Sequence, residues 1–168
     1  VAQVRAWFYY MHVLGVILFD RAPFKNVVVT GTILASDGSK MSKSKGNFPD
    51  PWMIFDKYGA DTLRFYLMSS NLMKAEDLNF NETALNEISK KFMMILFNSN
   101  NYYNLYKNSK PVNFKIKHVL DQWIISKLNL LIRDVTNDLD DYNTIGACNS
   151  IAQFVDDELE KIYGLEKF

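Results

Sequence analysis

Apolar residues recur at helical spacing in four stretches of the chain. Residues 4–18 are apolar on nearly every face, which predicts a helix that is buried within a larger body. Residues 81–106 and 120–139 carry apolar side chains at intervals of three, four or seven positions, as amphipathic helices do. A last helix is predicted to begin at Asn143 or Thr144. The pattern therefore predicts a mainly α-helical chain.

Signals for β-structure are confined to one region between the first two long helices. Residues 27–29 are three valines bounded by Asn26 and Gly31, which predicts a short buried strand. Residues 33–34 either extend that strand or start another one. A parallel α/β sheet needs several strands, and this sequence predicts only one or two. We therefore expect a chain that begins in the middle of a domain.

The segment after these strands has no apolar periodicity and contains two glycines, so residues 35–47 are predicted to form an exposed, mobile loop. Two short helices should follow. The first begins at Pro51 with Asp50 as its N-cap, and the second covers residues 61–68. Residues 108–113 are predicted to be a linker between the later helices.

The composition excludes several classes of protein. Apolar residues make up 48% of the 168 residues, enough to offset the entropy of ordering, so a disordered chain is excluded. One cysteine and two histidines are too few for an internal disulfide or a structural zinc site, which predicts a reducing, cytoplasmic compartment. The apolar N-terminal stretch is too short and too polar to cross a membrane, and it lacks the features of a signal peptide.

Charge is balanced overall, with 19 basic and 19 acidic residues, but it is unevenly distributed along the chain. Residues 21–47 hold five basic residues and one acidic residue, a net charge of +4. Residues 119–168 hold four basic and ten acidic residues, a net charge of −6. We therefore expect an anion-attracting element near the front of the chain and an acidic surface at its end.

The candidate chemistry lies in residues 37–47, where three lysines alternate with serines between two glycines. Lysine is a compact charge on a long stem, and serine hydroxyls can add hydrogen bonds to phosphate oxygens. The segment is not a Walker A motif, because no Gly-x-x-x-x-Gly-Lys sequence is present. The alternative to an anion-binding arm is an ordinary solvated basic loop.

Other chemistry-bearing residues favour structural roles. His12 and His118 have no carboxylate or cysteine cluster near them in sequence, and Cys148 lies on an apolar helical stripe. The paired carboxylates at 140–141 and 156–157 are best interpreted as solvated surface.

A family resemblance changes the interpretation of the basic loop. Residues 40–44 match in full the KMSKS signature of the class I aminoacyl-tRNA synthetases. The flanking segments 31–38 and 45–47, together with 58–64, resemble the isoleucine, leucine and valine branch of that family. The resemblance covers essentially the whole chain.

Two segments most resemble the isoleucine-specific members of the branch. Residues 75–80 read Ala-Glu-Asp-Leu-Asn-Phe, a stretch in which the leucine and valine members usually differ. Residues 3–9 resemble a Gln-x-Arg-Gly-Trp-Phe segment of the same members, with Ala6 in place of the glycine.

The resemblance implies an enzyme that activates isoleucine with Mg-ATP and transfers it to the 3′ end of its tRNA. No metal is expected to be bound by the chain itself, and no membrane is expected as a partner. Lys40 and Lys43 are implied to be catalytic, because they would stabilise charge on the departing pyrophosphate. Gln3 and Trp7 are implied to border the aminoacyl-adenylate, although Trp7 could instead be a core aromatic. The residues implied to bind ATP are Lys40, Met41, Ser42, Lys43 and Ser44.

The same resemblance divides the chain into three regions. Residues 1–47 would end a Rossmann-type α/β catalytic domain, residues 48–80 would be the stem-contact region, and residues 81–168 would begin a helical anticodon-binding bundle. The second signature of the class, HIGH, is absent from the sequence. We therefore expect the chain alone to be inactive, with an exposed first helix that self-associates.

Three alternatives stay open at this point. The chain could belong to a leucine- or valine-specific enzyme, or it could be a non-catalytic helical module that binds tRNA. The net charge of −6 after residue 119 argues against strong autonomous tRNA binding, because phosphate contacts dominate nucleic-acid affinity. The third alternative is a purely helical scaffold in which the KMSKS match is accidental.

Overall fold

The computed structural model describes residues 4–47, 49–107 and 118–162. Within them the chain is mainly helical with two short strands, as predicted. The linker predicted at 108–113 and the candidate Gln3 lie outside the described residues. The helices are α1 (Tyr9–Phe19), α2 (Pro51–Tyr58), α3 (Ala60–Met68), α4 (Glu82–Ile88), α5 (Met94–Tyr106), α6 (Val119–Asp140) and α7 (Thr144–Gln153), and the strands are β1 (Ile33–Leu34) and β2 (Leu78–Asn79).

Wider π-helical turns adjoin four of these helices. Val4–Phe8 leads into α1, and Phe154–Ile162 continues α7. Ser89–Met93 joins α4 to α5, so that one helical region runs from 82 to 106, close to the predicted bounds. Two 3₁₀ turns cover Lys43–Lys45 and Asn71–Lys74.

Side-chain caps explain why the helices begin where the sequence predicts. The carboxylate of Asp50 accepts a hydrogen bond from the N–H of Trp52 at 3.0 Å, with proline at the first helical position of α2. Asn81 accepts from the N–H of Thr83 at 2.9 Å at the start of α4, and Asn143 caps α7 in the same manner. Each cap satisfies backbone donors that the first turn of a helix leaves unpaired.

The two strands form a parallel pair, with Ile33 opposite Leu78 and Leu34 opposite Asn79. The predicted strand at 27–29 is wrong: those three valines have no regular structure and their side chains are exposed. A β-branched run forms a strand only where a neighbour satisfies its backbone groups. In the described residues β2 pairs with 33–34 instead, so β1 is a separate strand and not the extension of an earlier one.

The main core joins β2 to three helices. Ile54 of α2, Tyr66 of α3 and Leu85 of α4 are buried together, and Leu85 is fully inaccessible. The Tyr66 hydroxyl accepts a hydrogen bond from the N–H of Asn81 at 3.1 Å, which fixes the passage from β2 to α4. The partly buried side chains around this core are Tyr58, Leu63, Leu67, Leu78, Phe80, Ala84 and Ile88.

Helices α6 and α7 pack against each other, and α7 also contacts α3. Ala147, Cys148 and Val155 are buried on α7 and its π-helical extension. Lys127 of α6 forms an ion pair with Glu158 at 3.0 Å, so the two helical segments are joined by charge as well as by packing.

Helix α1 presents an apolar surface to solvent. Ile17 is 72% exposed and Phe19 is 68% exposed, whereas Gly15 is buried against Pro23. The helix is therefore not buried, contrary to the prediction from its apolar sequence. The exposed apolar face that was also expected for it is observed. Within the described ranges, none of the helices combines the length and apolar character needed to cross a membrane.

Candidate functional site

The lysine-rich loop starts with a tight turn directly after β1. The Gly38 N–H donates to the Ala35 carbonyl at 2.9 Å, and the Ala35 N–H donates to the Ser39 carbonyl at 2.9 Å. Gly38 has a φ of +78°, a conformation that favours glycine. The turn brings Lys40 back beside Leu34 in an antiparallel bridge, so the loop begins as a small hairpin.

Asp37 stabilises this turn from within. Its carboxylate accepts a hydrogen bond from the Ser39 N–H at 2.9 Å. Hydrogen bonds from the Ser39 side chain and then its backbone N–H lower the pKa of Asp37, because they favour the charged carboxylate. The single acidic residue of this basic segment therefore has a local structural role.

The second half of the loop is a 3₁₀ turn at Lys43–Lys45 that ends at Gly46, with a φ of +64°. The left-handed backbone at Gly46 turns the chain back toward the hairpin. The Ser42 and Ser44 hydroxyl oxygens lie 2.8 Å apart at the start of this turn.

Asn47 closes the loop. Its side-chain oxygen accepts a hydrogen bond from the Ser42 N–H at 2.8 Å. Its side-chain nitrogen donates to the Ser39 hydroxyl at 3.0 Å and to the Lys40 carbonyl at 3.2 Å. The amide therefore joins the hairpin half of the loop to the 3₁₀ half.

The lysines themselves face solvent. Lys40, Lys43 and Lys45 are exposed, and within the described part of the chain none of them lies within 4.0 Å of a carboxylate. Lys57, by contrast, pairs with Glu82 at 2.7 Å. The loop thus carries three cations with no ion-pair partner among those residues, beside serine hydroxyls that can bind oxyanions.

The base of the loop is anchored to residues 75–80. The Thr32 N–H donates to the Asp77 carboxylate at 3.0 Å, and the Leu78 N–H donates to the Thr32 carbonyl at 2.9 Å. The Phe80 N–H donates to the Leu34 carbonyl at 2.9 Å. These bonds attach the strand that leads into the loop to a segment that packs on the main core.

Gly31 makes this attachment possible. Its N–H donates to the Leu72 carbonyl at 2.8 Å, and a Cβ atom added at Gly31 would lie 1.8 Å from the Glu76 carbonyl oxygen. Only a residue without a side chain allows the two backbones to approach so closely. This role was not predicted from the sequence; the signal that could have indicated it is a glycine beside a strand.

The predicted ATP-binding residues 40–44 lie on one loop, as expected from their adjacency in sequence. The two residues predicted to line the amino-acid pocket, Gln3 and Trp7, are not placed in a pocket by the described structure. Trp7 is 48% exposed, and the centroids of its ring and the Phe8 ring are 3.7 Å apart. Trp7 directly follows a helical kink at Ala6. Gln3 lies outside the described residues. A role for either residue at an aminoacyl-adenylate stays a prediction.

The remaining candidates have structural surroundings. The His118 ring nitrogen Nδ1 accepts a hydrogen bond from the Leu120 N–H at 3.3 Å, which caps α6. Cys148 is buried, and the desolvation raises the pKa of its thiol. Across the ranges that the structure describes, no three His, Cys, Asp or Glu side chains are grouped as a metal site.

A family comparison agrees with the loop and its anchor. The model of the class I tRNA synthetases for isoleucine, leucine, methionine and valine matches residues 1–81, which include β1, the loop and β2. The chain belongs to the class I tRNA synthetases.

Within this family, the chain is similar to isoleucine–tRNA ligases from distant organisms. It is 41% identical to that of Bdellovibrio bacteriovorus over 160 residues and 44% identical to a probable cytoplasmic one of Enterocytozoon bieneusi over 154. It is 37% identical to the cytoplasmic enzyme of Saccharomyces cerevisiae over 165 residues. Each match covers 92% of this chain, and the chain spans about 15% of the length of these relatives.

A solved synthetase shares the fold. LeuRS from Agrobacterium radiobacter K84, in a ternary complex with tRNA and LeuAMS, superimposes with a TM-score of 0.72 at 23% identity. The match covers 93% of this chain and 21% of that one. The mainly helical fold and the family recognition made from the sequence are therefore confirmed, and the relatives favour the isoleucine members over the leucine and valine ones.

Proposed function

We propose that this chain supplies the KMSKS loop and the adjoining helices of an isoleucine–tRNA ligase. The substrates would be isoleucine, ATP with magnesium, and the isoleucine-accepting tRNA. The observation that carries the proposal is the loop at 37–47, which presents exposed lysines without ion-pair partners among the described residues. Similarity to isoleucine–tRNA ligases over 92% of the chain supports the amino acid.

In the proposed reaction the isoleucine carboxylate attacks the α-phosphorus of ATP. The bond to the bridging oxygen of pyrophosphate breaks, and its electron pair leaves with pyrophosphate. Negative charge grows on the departing group, and Lys40 and Lys43 stabilise it. Such cations act by electrostatics and not by proton transfer.

The other loop residues bind ATP through polar groups. Ser42 and Ser44 offer hydroxyls that are 2.8 Å apart, and Met41 offers backbone groups close to the adenine. Gln3 and Trp7 border the aminoacyl-adenylate, with the indole as an apolar wall for the isoleucine side chain. An aliphatic side chain without a polar group is selected by the shape of such a wall.

The three sequence regions keep their proposed roles. Residues 1–47 end the catalytic domain, residues 48–80 contact the tRNA stem, and residues 81–168 begin the anticodon-binding bundle. The anchor between β1 and β2 supports this division, because it attaches the loop to the helices that follow. We propose a cytoplasmic location, as two relatives are named cytoplasmic.

Isoleucine-dependent exchange of pyrophosphate into ATP, measured with the complete enzyme, tests the proposal. Isoleucine should support exchange with a kcat/KM roughly tenfold to two-hundredfold above that for valine, the range that one methylene supplies in an apolar pocket. Leucine should be a still poorer substrate. Faster exchange with leucine or valine would contradict the isoleucine assignment, and no exchange with any of the three would contradict the activity.

A further inference from the structure

The amide of Asn47 makes three hydrogen bonds inside the loop, and they use both of its ends. The oxygen accepts from the Ser42 N–H at 2.8 Å, and the nitrogen donates to the Ser39 hydroxyl at 3.0 Å and to the Lys40 carbonyl at 3.2 Å. These partners lie five, eight and seven residues before Asn47 in the chain. One side chain therefore connects three separate points of the loop.

The three contact points lie at Ser39, Lys40 and Ser42, next to the two proposed catalytic lysines. One contact is to the backbone carbonyl of Lys40 itself, and another is to the amide of Ser42, which directly precedes Lys43. The backbone of Lys40 is thus held directly and that of Lys43 through its neighbour Ser42, while both long side chains stay exposed. The amide fixes the origin of each stem and leaves the ammonium group free to follow a moving oxyanion.

We propose that Asn47 is the positioning residue that holds Lys40 and Lys43 where the departing pyrophosphate needs them. The inference rests on the proposed function, because it assigns Asn47 a part in the same phosphoryl chemistry. Asn47 touches neither substrate nor reacting atoms in this proposal. It acts through the backbone of the loop.

Two features of the loop explain why such a residue is needed. Glycines at 38 and 46 give the segment many conformations, which must be restricted before the lysines can act. The left-handed backbone of Gly46 also turns Asn47 toward Ser42. The contact set requires one acceptor and two donor hydrogens on a short side chain, a combination that hydroxyl and carboxylate side chains lack and that an amide supplies.

Steady-state pyrophosphate exchange by the complete enzyme, with Asn47→Ala and Ser39→Ala variants, tests this role. Misplacing a catalytic group by about 1 Å can cost about a hundredfold, so Asn47→Ala should lower kcat by roughly tenfold to a hundredfold. The KM for isoleucine should change less than about threefold, because the amino-acid pocket is not altered. Ser39→Ala removes one of the three bonds, together with the hydrogen bond from the Ser39 side chain to Asp37, and should cost roughly twofold to tenfold.

Hydrogen exchange on the same proteins provides a readout that does not depend on activity. The peptide containing Ser42 should exchange at least about tenfold faster in Asn47→Ala than in the wild type, because the Ser42 N–H loses its acceptor. Asn104→Ala, at an exposed position on α5, is the matched control and should change neither readout.

The outcomes separate this inference from the proposed function. A wild-type kcat in Asn47→Ala, measured per folded enzyme, would overturn the positioning role. If Asn47→Ala does not fold, an unchanged kcat in Ser39→Ala overturns the role, and a several-fold lower kcat at unchanged melting temperature supports it. Absence of isoleucine-dependent exchange in the wild type would instead reject the proposed function.

Discussion

A lysine that is paired with a carboxylate offers less positive charge to an incoming phosphate than a lysine without such a partner. Lys57 donates a hydrogen bond to Glu82 at 2.7 Å, and this bond raises the pKa of Lys57 while it lowers the pKa of Glu82. Lys40 and Lys43 have no such partner among the described residues. At the scale of single residues, the charge of Lys57 is therefore used within the fold, whereas the charges of Lys40 and Lys43 are available to a ligand.

Replacing Lys43 by alanine in the complete enzyme should slow isoleucine-dependent pyrophosphate exchange by roughly a hundredfold to a thousandfold. Losing one preorganised contact to developing charge costs about 2.7–4 kcal/mol in the transition state. The KM for isoleucine should hardly change, because the lysine acts on the leaving group. Lys90→Ala, an exposed lysine in the π-helical turn between α4 and α5, is the control; a change confined to the KM for isoleucine would refute the role of Lys43.

Replacing Trp7 by alanine distinguishes a pocket wall from an ordinary packed aromatic. If the indole lines the amino-acid pocket, the ratio of kcat/KM for isoleucine to that for valine should fall, since one methylene contributes only about 1–3 kcal/mol of selectivity. Pyrophosphate exchange with each amino acid measures this ratio. A lower melting temperature with an unchanged ratio would show that Trp7 is a packed aromatic and not a wall of the pocket.

At the scale of secondary-structure elements, helices could be predicted from the sequence because their signals are local. Asp50 and Asn81 cap helices that begin one residue later, and neither cap depends on the rest of the fold. Strand pairing is not local: β2 is two residues long, too short for its alternation to reveal its partner. The valines at 27–29 have the better β-propensity, yet the tertiary contacts of Gly31 and Asp77 determine that pairing begins after them.

Gly31→Ala should destabilise the chain by about 3 kcal/mol or more in urea unfolding. The added Cβ would lie 1.8 Å from the Glu76 carbonyl oxygen, so β1 and β2 would have to separate, at a cost at the upper end of that for overpacking. Gly46→Ala is the control: its Cβ would meet no atom within 4 Å, and its left-handed backbone costs about 1–2 kcal/mol. Equal losses of stability in the two variants would mean that the close approach at Gly31 is unimportant.

At the scale of the whole molecule, the loop could be predicted because its chemistry-bearing residues are adjacent in sequence. Residues 40–44 carry the family signature and lie on one exposed loop. What holds them could not be predicted: Asn47 was visible only as part of the motif's context, and its three bonds depend on the fold of the loop. The β1–β2 pair then attaches this loop to the core formed by Ile54, Tyr66 and Leu85, and so to the helical bundle.

The exposed surface of α1 predicts how the purified 168-residue chain behaves in solution. Leu14, Ile17 and Leu18 lie at helical spacing on one side of α1 and are 56%, 72% and 65% exposed. Contiguous apolar surface of this kind favours association, because burying each side chain stabilises the associated state by about 1.5–3 kcal/mol. We expect sedimentation velocity to show oligomers that grow with protein concentration.

Changing these three residues together to serine should shift the chain to the monomer and weaken self-association by at least about a hundredfold, since three apolar contacts are lost at once. Met53→Ser on α2, where the side chain is 69% exposed but outside this surface, should leave the association unchanged. Both variants replace exposed side chains, so neither should lower the melting temperature appreciably. A wild-type chain that stays monomeric at every concentration, or an equal effect of Met53→Ser, would show that the face of α1 does not drive association.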